Sequence, residues 1–221
     1  MGNNWIESGI IRKATKSETV LLWIKENRET FIGSLVIVLA IIILGSFFTL
    51  RYSQLNKAAW KELFMAKQQS RMGKLDLANK SLAKIETGFS NTTAAGYALL
   101  LKGDIMFSTR KYEDAVKAYI MASDFAKPET IVPVALSNIG KTREAKRDFD
   151  KAIISYKNFL SQYPEHFLAP EAHFSIANIY AMQNKKKEAR SVYEKIAILY
   201  PQTLWAESAK SILGVKEKKK S

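Results

Sequence analysis

Side chains able to do chemistry are few in this chain. It has two histidines, His166 and His173, and no cysteine, which removes disulfides, thiolate nucleophiles, cysteine zinc sites and iron–sulfur clusters together. Two imidazoles are too few for a histidine-rich metal site. Pro170 between them also breaks the one-face geometry that ligands on a helix require, so His173 reads as a packed residue. Paired carboxylates, the usual partners in general acid–base work, occur at Glu113-Asp114 and Asp148-Asp150. Both pairs fall beside predicted turns, where carboxylates complement helix N-termini and need no catalytic role. The sequence has no glycine-rich phosphate loop, nucleophile elbow or HExxH helix. The glycosylation triplet Asn91-Thr92-Thr93 and the terminal dilysine-like run read as chance. The expectation is a protein that is not an enzyme: no catalytic residue, no cofactor, no metal and no small-molecule substrate.

Charge offers a second possibility. The formal net charge of the 221 residues is +13, and clustered Lys and Arg displace counterions from phosphate backbones. Residues 1–30 hold five basic and four acidic side chains, which leaves +12 downstream. There the basic residues are scattered among acids, and the runs Lys185-Lys186-Lys187 and Lys218-Lys219-Lys220 lie at a predicted turn and at the C-terminus. That pattern reads as a solvated basic face, with no nucleic acid expected. A basic surface facing anionic lipid or nucleic acid is kept as the alternative function.

The elements that must carry these side chains begin with residues 31–50, FIGSLVIVLAIIILGSFFTL, twenty residues without a charge. A helix of that length spans roughly 30 Å of hydrocarbon, and soluble helices rarely stay apolar around their whole circumference. The segment is expected to be a retained membrane anchor, since GSFFTLRYS offers no small-x-small cleavage site. Arg12, Lys13, Lys16, Lys25 and Arg28 precede it, against Arg51, Lys57, Lys61 and Lys67 after it, which favours a cytoplasmic N-terminus. Between Ser17 and Thr30 the sequence suits either a short helix at the headgroup level, with Trp23 as interfacial anchor, or an extension of the spanning helix. The absence of Gly and Pro from Ser46 to Met72 predicts an unbroken helix from the span into the first helical unit beyond it.

Beyond the span a register recurs every 37 residues. It links Ala115, Ala152 and Ala189; Tyr119, Tyr156 and Tyr193; and the small residues Gly103, Gly140 and Ala177. Pro164 and Pro201, each preceded by Tyr, share it, and a further step back reaches Ala78, Leu82 and Ala66. A small residue on a first helix lets a second helix approach, an alanine does the same from the other side, and the aromatic one turn on fills the seam. Each unit becomes a helical hairpin that cannot bury its apolar stripes without neighbours. Turns are expected at Gly73, Ser108-Thr109-Arg110, Arg147-Asp148 and Gln183-Asn184-Lys185. The fold expected is all-α: a single N-terminal transmembrane helix, then a right-handed solenoid of about four hairpins with a C-terminal capping helix. The boundaries expected are 1–30 for the N-terminal segment, 31–50 for the span, 51–58 for a helical connector, 59–214 for the repeats and 215–221 for a basic disordered tail.

Ile176, Ala177, Tyr180, Ala189, Tyr193, Ile196 and Pro201 match the tetratricopeptide pattern, so the chain resembles that family over residues 59–203. His173 stands where the pattern prefers Trp, Met106 and Arg143 replace the slot of Tyr180, and Lys127 replaces the proline. The layout is also similar to the family of the ancillary bacterial Sec translocon subunit: cytoplasmic head, one span, periplasmic repeats. The resemblance implies a scaffold in the bacterial inner membrane that binds proteins or peptides, such as translocon components or exported and envelope proteins. It implies an inner face built from the first helices, exposing Tyr97, Leu100, Asp104 and Phe107, then Ser137, Lys141 and Glu144, then Phe174, Asn178 and Ala181. Such a mixture suits an extended or helical protein segment. The same register also permits Tyr97, Leu100 and Phe107 to be packed inside a tight superhelix.

Overall fold

The computed structural model describes residues 16–214. The first fifteen residues of the N-terminal segment and the tail at 215–221 lie outside them. Two compact units divide the chain at Ser53 and Gln54.

The first unit holds α1 (Lys16–Glu26) and the opening part of α2 (Arg28–Arg71). Asn27 separates the two helices only as a turn: its N–H donates to the Trp23 carbonyl and its own carbonyl accepts from Phe31, both at 2.9 Å. Thus α1 is a separate short helix, hydrogen-bonded end to end with its neighbour. The apolar stretch inside α2 is long and apolar enough to cross a membrane, and none of the described residues covers it. Ser34 and Thr49 donate their hydroxyls to the carbonyls of Phe31 and Ser46, so these polar groups are satisfied within the helix itself.

The second unit begins with the remainder of α2 and α3 (Leu75–Gly88) as one hairpin. Three more follow: α4 (Thr93–Ser108) with α5 (Tyr112–Phe125), α6 (Val132–Ala145) with α7 (Phe149–Gln162), and α8 (Ala169–Met182) with α9 (Lys186–Leu199). A single 3-10 turn, Glu129–Ile131, leads into α6. The last element, α10 (Leu204–Ile212), repeats a first helix. It lays Ala206 and Ala209 on the cluster around Ala177, Tyr193 and Ile196, with Trp205 and Leu213 beside it. No strand occurs among the described residues. The principal contacts run between elements adjacent or next-but-one along the chain, as a stack of units requires.

Each hairpin turns in the same way. Gly73, Arg110, Arg147 and Asn184, one repeat apart, have φ of 74°, 59°, 67° and 60°. The next residues, Lys74, Lys111, Asp148 and Lys185, donate to carbonyls five positions back at 2.8–2.9 Å. This bond, with the shorter one from the left-handed residue itself, is the Schellman arrangement that satisfies a helix's last carbonyls. Gly73 and Asn184 adopt this conformation readily, so only at Arg110 and Arg147 does the tertiary fold impose it on a residue that does not favour it.

The seam works as its spacing implies. Gly103 lies under Tyr119 and Gly140 under Tyr156, so closely that a Cβ at either would come within 2.5 Å of a ring carbon. All three seam tyrosines are buried, and each hydroxyl donates to the first helix of its own hairpin: Tyr119 to Asp104 at 2.7 Å, Tyr156 to Glu144 at 2.7 Å and Tyr193 to Asn178 at 2.6 Å. Lys141 occupies the slot of Asp104 and Asn178 and cannot accept, so Glu144, one turn on, takes that bond. Burial and the carboxylate neighbours push the Tyr119 and Tyr156 phenols well above their ordinary range.

Candidate functional site

The first helices of the opening two hairpins, α2 and α4, build a cavity on the first-helix face. Four pairs of register-equivalent residues from α2 and α4 line it: Trp60 with Tyr97, Leu63 with Leu100, Phe64 with Leu101, and Lys67 with Asp104. Its volume is about 490 Å³, within the usual size of a ligand cleft. Residues three and four apart share a helix face, so the set from Trp60 to Lys67 and the set from Tyr97 to Asp104 form parallel stripes. Leu63 is buried at the base, while Trp60 and Phe64 are 41% and 67% exposed. The Trp60 and Tyr97 rings pack 5.4 Å apart at 46°.

The polar end of the cavity is held in place. Asp104 accepts the Tyr119 hydroxyl, although the outer edge of the residue is exposed. Loss of hydration raises the pKa of its carboxyl, and the Tyr119 hydrogen bond and the Lys67 charge oppose that rise. The cavity therefore presents an apolar floor with one opposite-charge pair at its rim.

Farther along the face, the same slots turn polar and close. Lys141, equivalent to Asp104, pairs with Glu171, equivalent to Tyr97, at 2.9 Å. Ser137 was expected to be exposed and is instead buried, 1% accessible. It carries too little bulk to hold the following hairpin away, and the Lys141–Glu171 bridge joins α6 to α8 on its side. Phe174 is half-buried against Trp205 at 5.1 Å and Tyr193 at 5.6 Å, which commits it to the capping helix. Glu144 and Asn178 are acceptors for seam tyrosines. Phe107 sits outside the cavity lining with its ring 5.9 Å from Tyr112, and Ala181 is exposed.

Of the residues expected on the inner face, then, the structure gathers Tyr97, Leu100 and Asp104 into one cavity and disperses the others. Their counterparts Trp60, Leu63, Phe64 and Lys67 were missed because the face was read only from the second hairpin onward. Subtracting one repeat from Tyr97, Leu100, Leu101 and Asp104 finds all four.

The chemistry-bearing residues lie elsewhere and apart. His166 contacts Phe159, Tyr163 and Phe167, whereas His173 packs near Tyr200. Burial and, secondarily, the Lys195 charge push the His173 imidazole down to about 4. Glu113 pairs with Lys146, and Asp148 with Lys151 at 3.0 Å. No group of three or more His, Asp or Glu side chains that could hold a metal gathers among the described residues.

Solved structures with a similar fold include two that cover most of the chain. MamA AMB-1 superposes with a TM-score of 0.50 at 19% identity, covering 72% of this chain and 87% of its own. Pseudomonas aeruginosa PilF gives 0.52 at 17% identity, covering 78% and 81%. No curated protein sequence matches the chain. The family model described as "Tetratricopeptide repeat-like domain" matches residues 22–212, which is most of the chain. By its hairpin register, its glycine–tyrosine seam and that match, the chain belongs to the tetratricopeptide repeat-like domain family.

Proposed function

We propose that this protein is a membrane-tethered scaffold whose α2–α4 cavity docks an apolar stretch of another protein, on the extracytoplasmic side, during export, folding or envelope assembly. The observation that carries the reading is the cavity itself. Trp60, Phe64 and Tyr97 form an aromatic rim over leucines, left without a covering element among the described residues. Covering an exposed aromatic of this size contributes about 1.5–3 kcal/mol, and aromatic anchors of this kind dominate protein interfaces. A helical or extended segment offering two or three large apolar side chains fits the floor, and the Lys67–Asp104 pair would fix its register.

The anchor reading rests on the uncovered apolar surface of residues 31–50 and on hydroxyls satisfied within the helix. The side of the membrane rests on the bias of basic residues before the span. Translocon components and exported or envelope proteins are the partners proposed. The test joins a C-terminal reporter active only outside the cytoplasm to co-purification from crosslinked membranes. An active reporter, with export or envelope proteins recovered by wild type and lost with Phe64→Asp, supports the reading. An expressed but inactive reporter would favour an adaptor that uses its +12 excess of basic charge against anionic lipid or nucleic acid.

A further inference from the structure

A second groove lies on the opposite kind of surface, where the second helices α7 and α9 flank α8. Its volume is about 410 Å³. The floor is apolar, made largely by Leu160, Ile176 and Val192, and Lys157 and Lys195 stand in its lining. His173 also lines it, although only 8% accessible, and no hydrogen bond reaches its ring nitrogens from within the described residues. Neither ring nitrogen is among the fully buried atoms left without a partner, so the imidazole keeps an edge open to solvent from which it can donate to a ligand.

Comparison with the preceding repeat isolates what is special. The equivalent groove is lined by Ile120, Leu136 and Asn158 where this one has Lys157, His173 and Lys195. Its cation, Arg143, is already committed to the Ser155 hydroxyl at 2.6 Å. In the later groove, Lys157 stands 6.0 Å from the Tyr180 ring centroid, and Lys185, outside the lining, stands 5.8 Å from it. No ion pair reaches Lys157, Lys185 or Lys195 among the described residues. Two unpaired ammonium groups and a donor-capable imidazole thus line an apolar trough without an anion.

We infer that this groove binds an acidic–apolar segment of a partner protein, with a carboxylate side chain accepting from the His173 ring N–H between Lys157 and Lys195 and a neighbouring apolar side chain on Leu160, Ile176 and Val192. Charge complementarity selects the acid, and the floor selects its apolar neighbour. A bare phosphate would leave the floor wet. The site is separate from the α2–α4 cavity and does not depend on it.

Histidine-ring NMR of the full chain in neutral detergent tests this, because the chain has only two histidines and His166 lies outside the groove lining as an internal control. The probe is a terminally blocked Leu-Glu-Phe-Glu-Leu peptide, compared with its Gln-for-Glu analogue, inorganic phosphate and phosphatidylglycerol vesicles. The acidic peptide should move the His173 ring signals and leave those of His166 in place. The double variant Lys157→Gln/Lys195→Gln should weaken binding roughly fivefold or more, as two partly exposed ion pairs allow. His173→Leu restores the residue type of the preceding repeat and so should fold, and fluorescence polarisation should report comparably weakened binding. Phe64→Asp should bind as wild type, which separates this result from the fate of the α2–α4 reading. Equal binding of the Gln analogue, a His173 response to phosphate or vesicles in place of the acidic peptide, or unchanged binding by the lysine variant would each overturn the proposal.

Discussion

Gly96→Ala puts the packing of the second hairpin against its connection to the third to a severe test. A Cβ at Gly96 would lie 2.0 Å from the Lys127 carbonyl oxygen and 2.7 Å from Ile131 Cδ1. The first of these is backbone, so relief requires the segment between α5 and Glu129–Ile131 to retreat by about 1 Å or more to reach even a tight contact. Overpacking of this kind costs about 1–3 kcal/mol and more where the obstacle is rigid. Alanine's helix preference over glycine returns up to about 1 kcal/mol. The expected net loss is about 2 kcal/mol, and because Tyr97 follows directly, the cavity rim should shift with α4. Gly88→Ala is the control: its Cβ meets nothing within 4 Å, so its stability should change by less than about 0.5 kcal/mol. Urea denaturation followed by circular dichroism, with hydrogen exchange in α4 to localise the effect, measures both. Equal stability of Gly96→Ala and wild type would refute the close approach of α4 to the α5–α6 connection.

Arg110→Gly and Arg147→Gly should each stabilise the chain by about 0.5–1 kcal/mol, because both arginines are exposed and held at positive φ; a raised urea midpoint checks it, and a lowered one would count against strain at these turns. Tyr156→Phe removes the hydrogen bond to Glu144 and should cost about 1 kcal/mol in the same assay. His173 titrates near 4 when folded, against an ordinary 6.5. Between those values the unfolded chain binds a proton that the native imidazole does not. Stability should therefore fall as pH drops from 6.5 to about 4, by up to about 3 kcal/mol, and fall no further below. Subtracting the pH profile of His173→Leu from that of wild type isolates this contribution; two parallel profiles would contradict the burial of the imidazole.

The repeat was legible because its seam uses strict chemistry. Only a small residue fits beneath the Tyr119 and Tyr156 rings, so Gly103 and Gly140 announce themselves at the repeat spacing. The left-handed turns were legible in place but not in conformation, since Arg110 and Arg147 carry no local signal for positive φ. Gly96 drew no notice because its neighbour, the Lys127 carbonyl, is backbone and leaves no mark in side-chain patterning. On the inner face, register identified which residues share a side but not which were already engaged. Ser137 is buried, and Glu144 and Asn178 are taken by tyrosine hydroxyls, because such engagements depend on three-dimensional partners at variable offsets. Trp60 and Phe64 escaped for a simpler reason: the inner face was traced only from Tyr97 onward, although the register places them one repeat before Tyr97 and Leu101.

The central claim is that the α2–α4 cavity is where another protein docks. Site-specific photo-crosslinking from native membranes tests it most directly, with benzoylphenylalanine placed at Phe64 or Leu100 and, as controls, at Ile120 or Ile154 on the second helices. The account predicts discrete adducts with export or envelope proteins from Phe64 and Leu100, diminished by Trp60→Ala. Adducts arising only from Ile120 and Ile154, or none from the cavity positions, would contradict it.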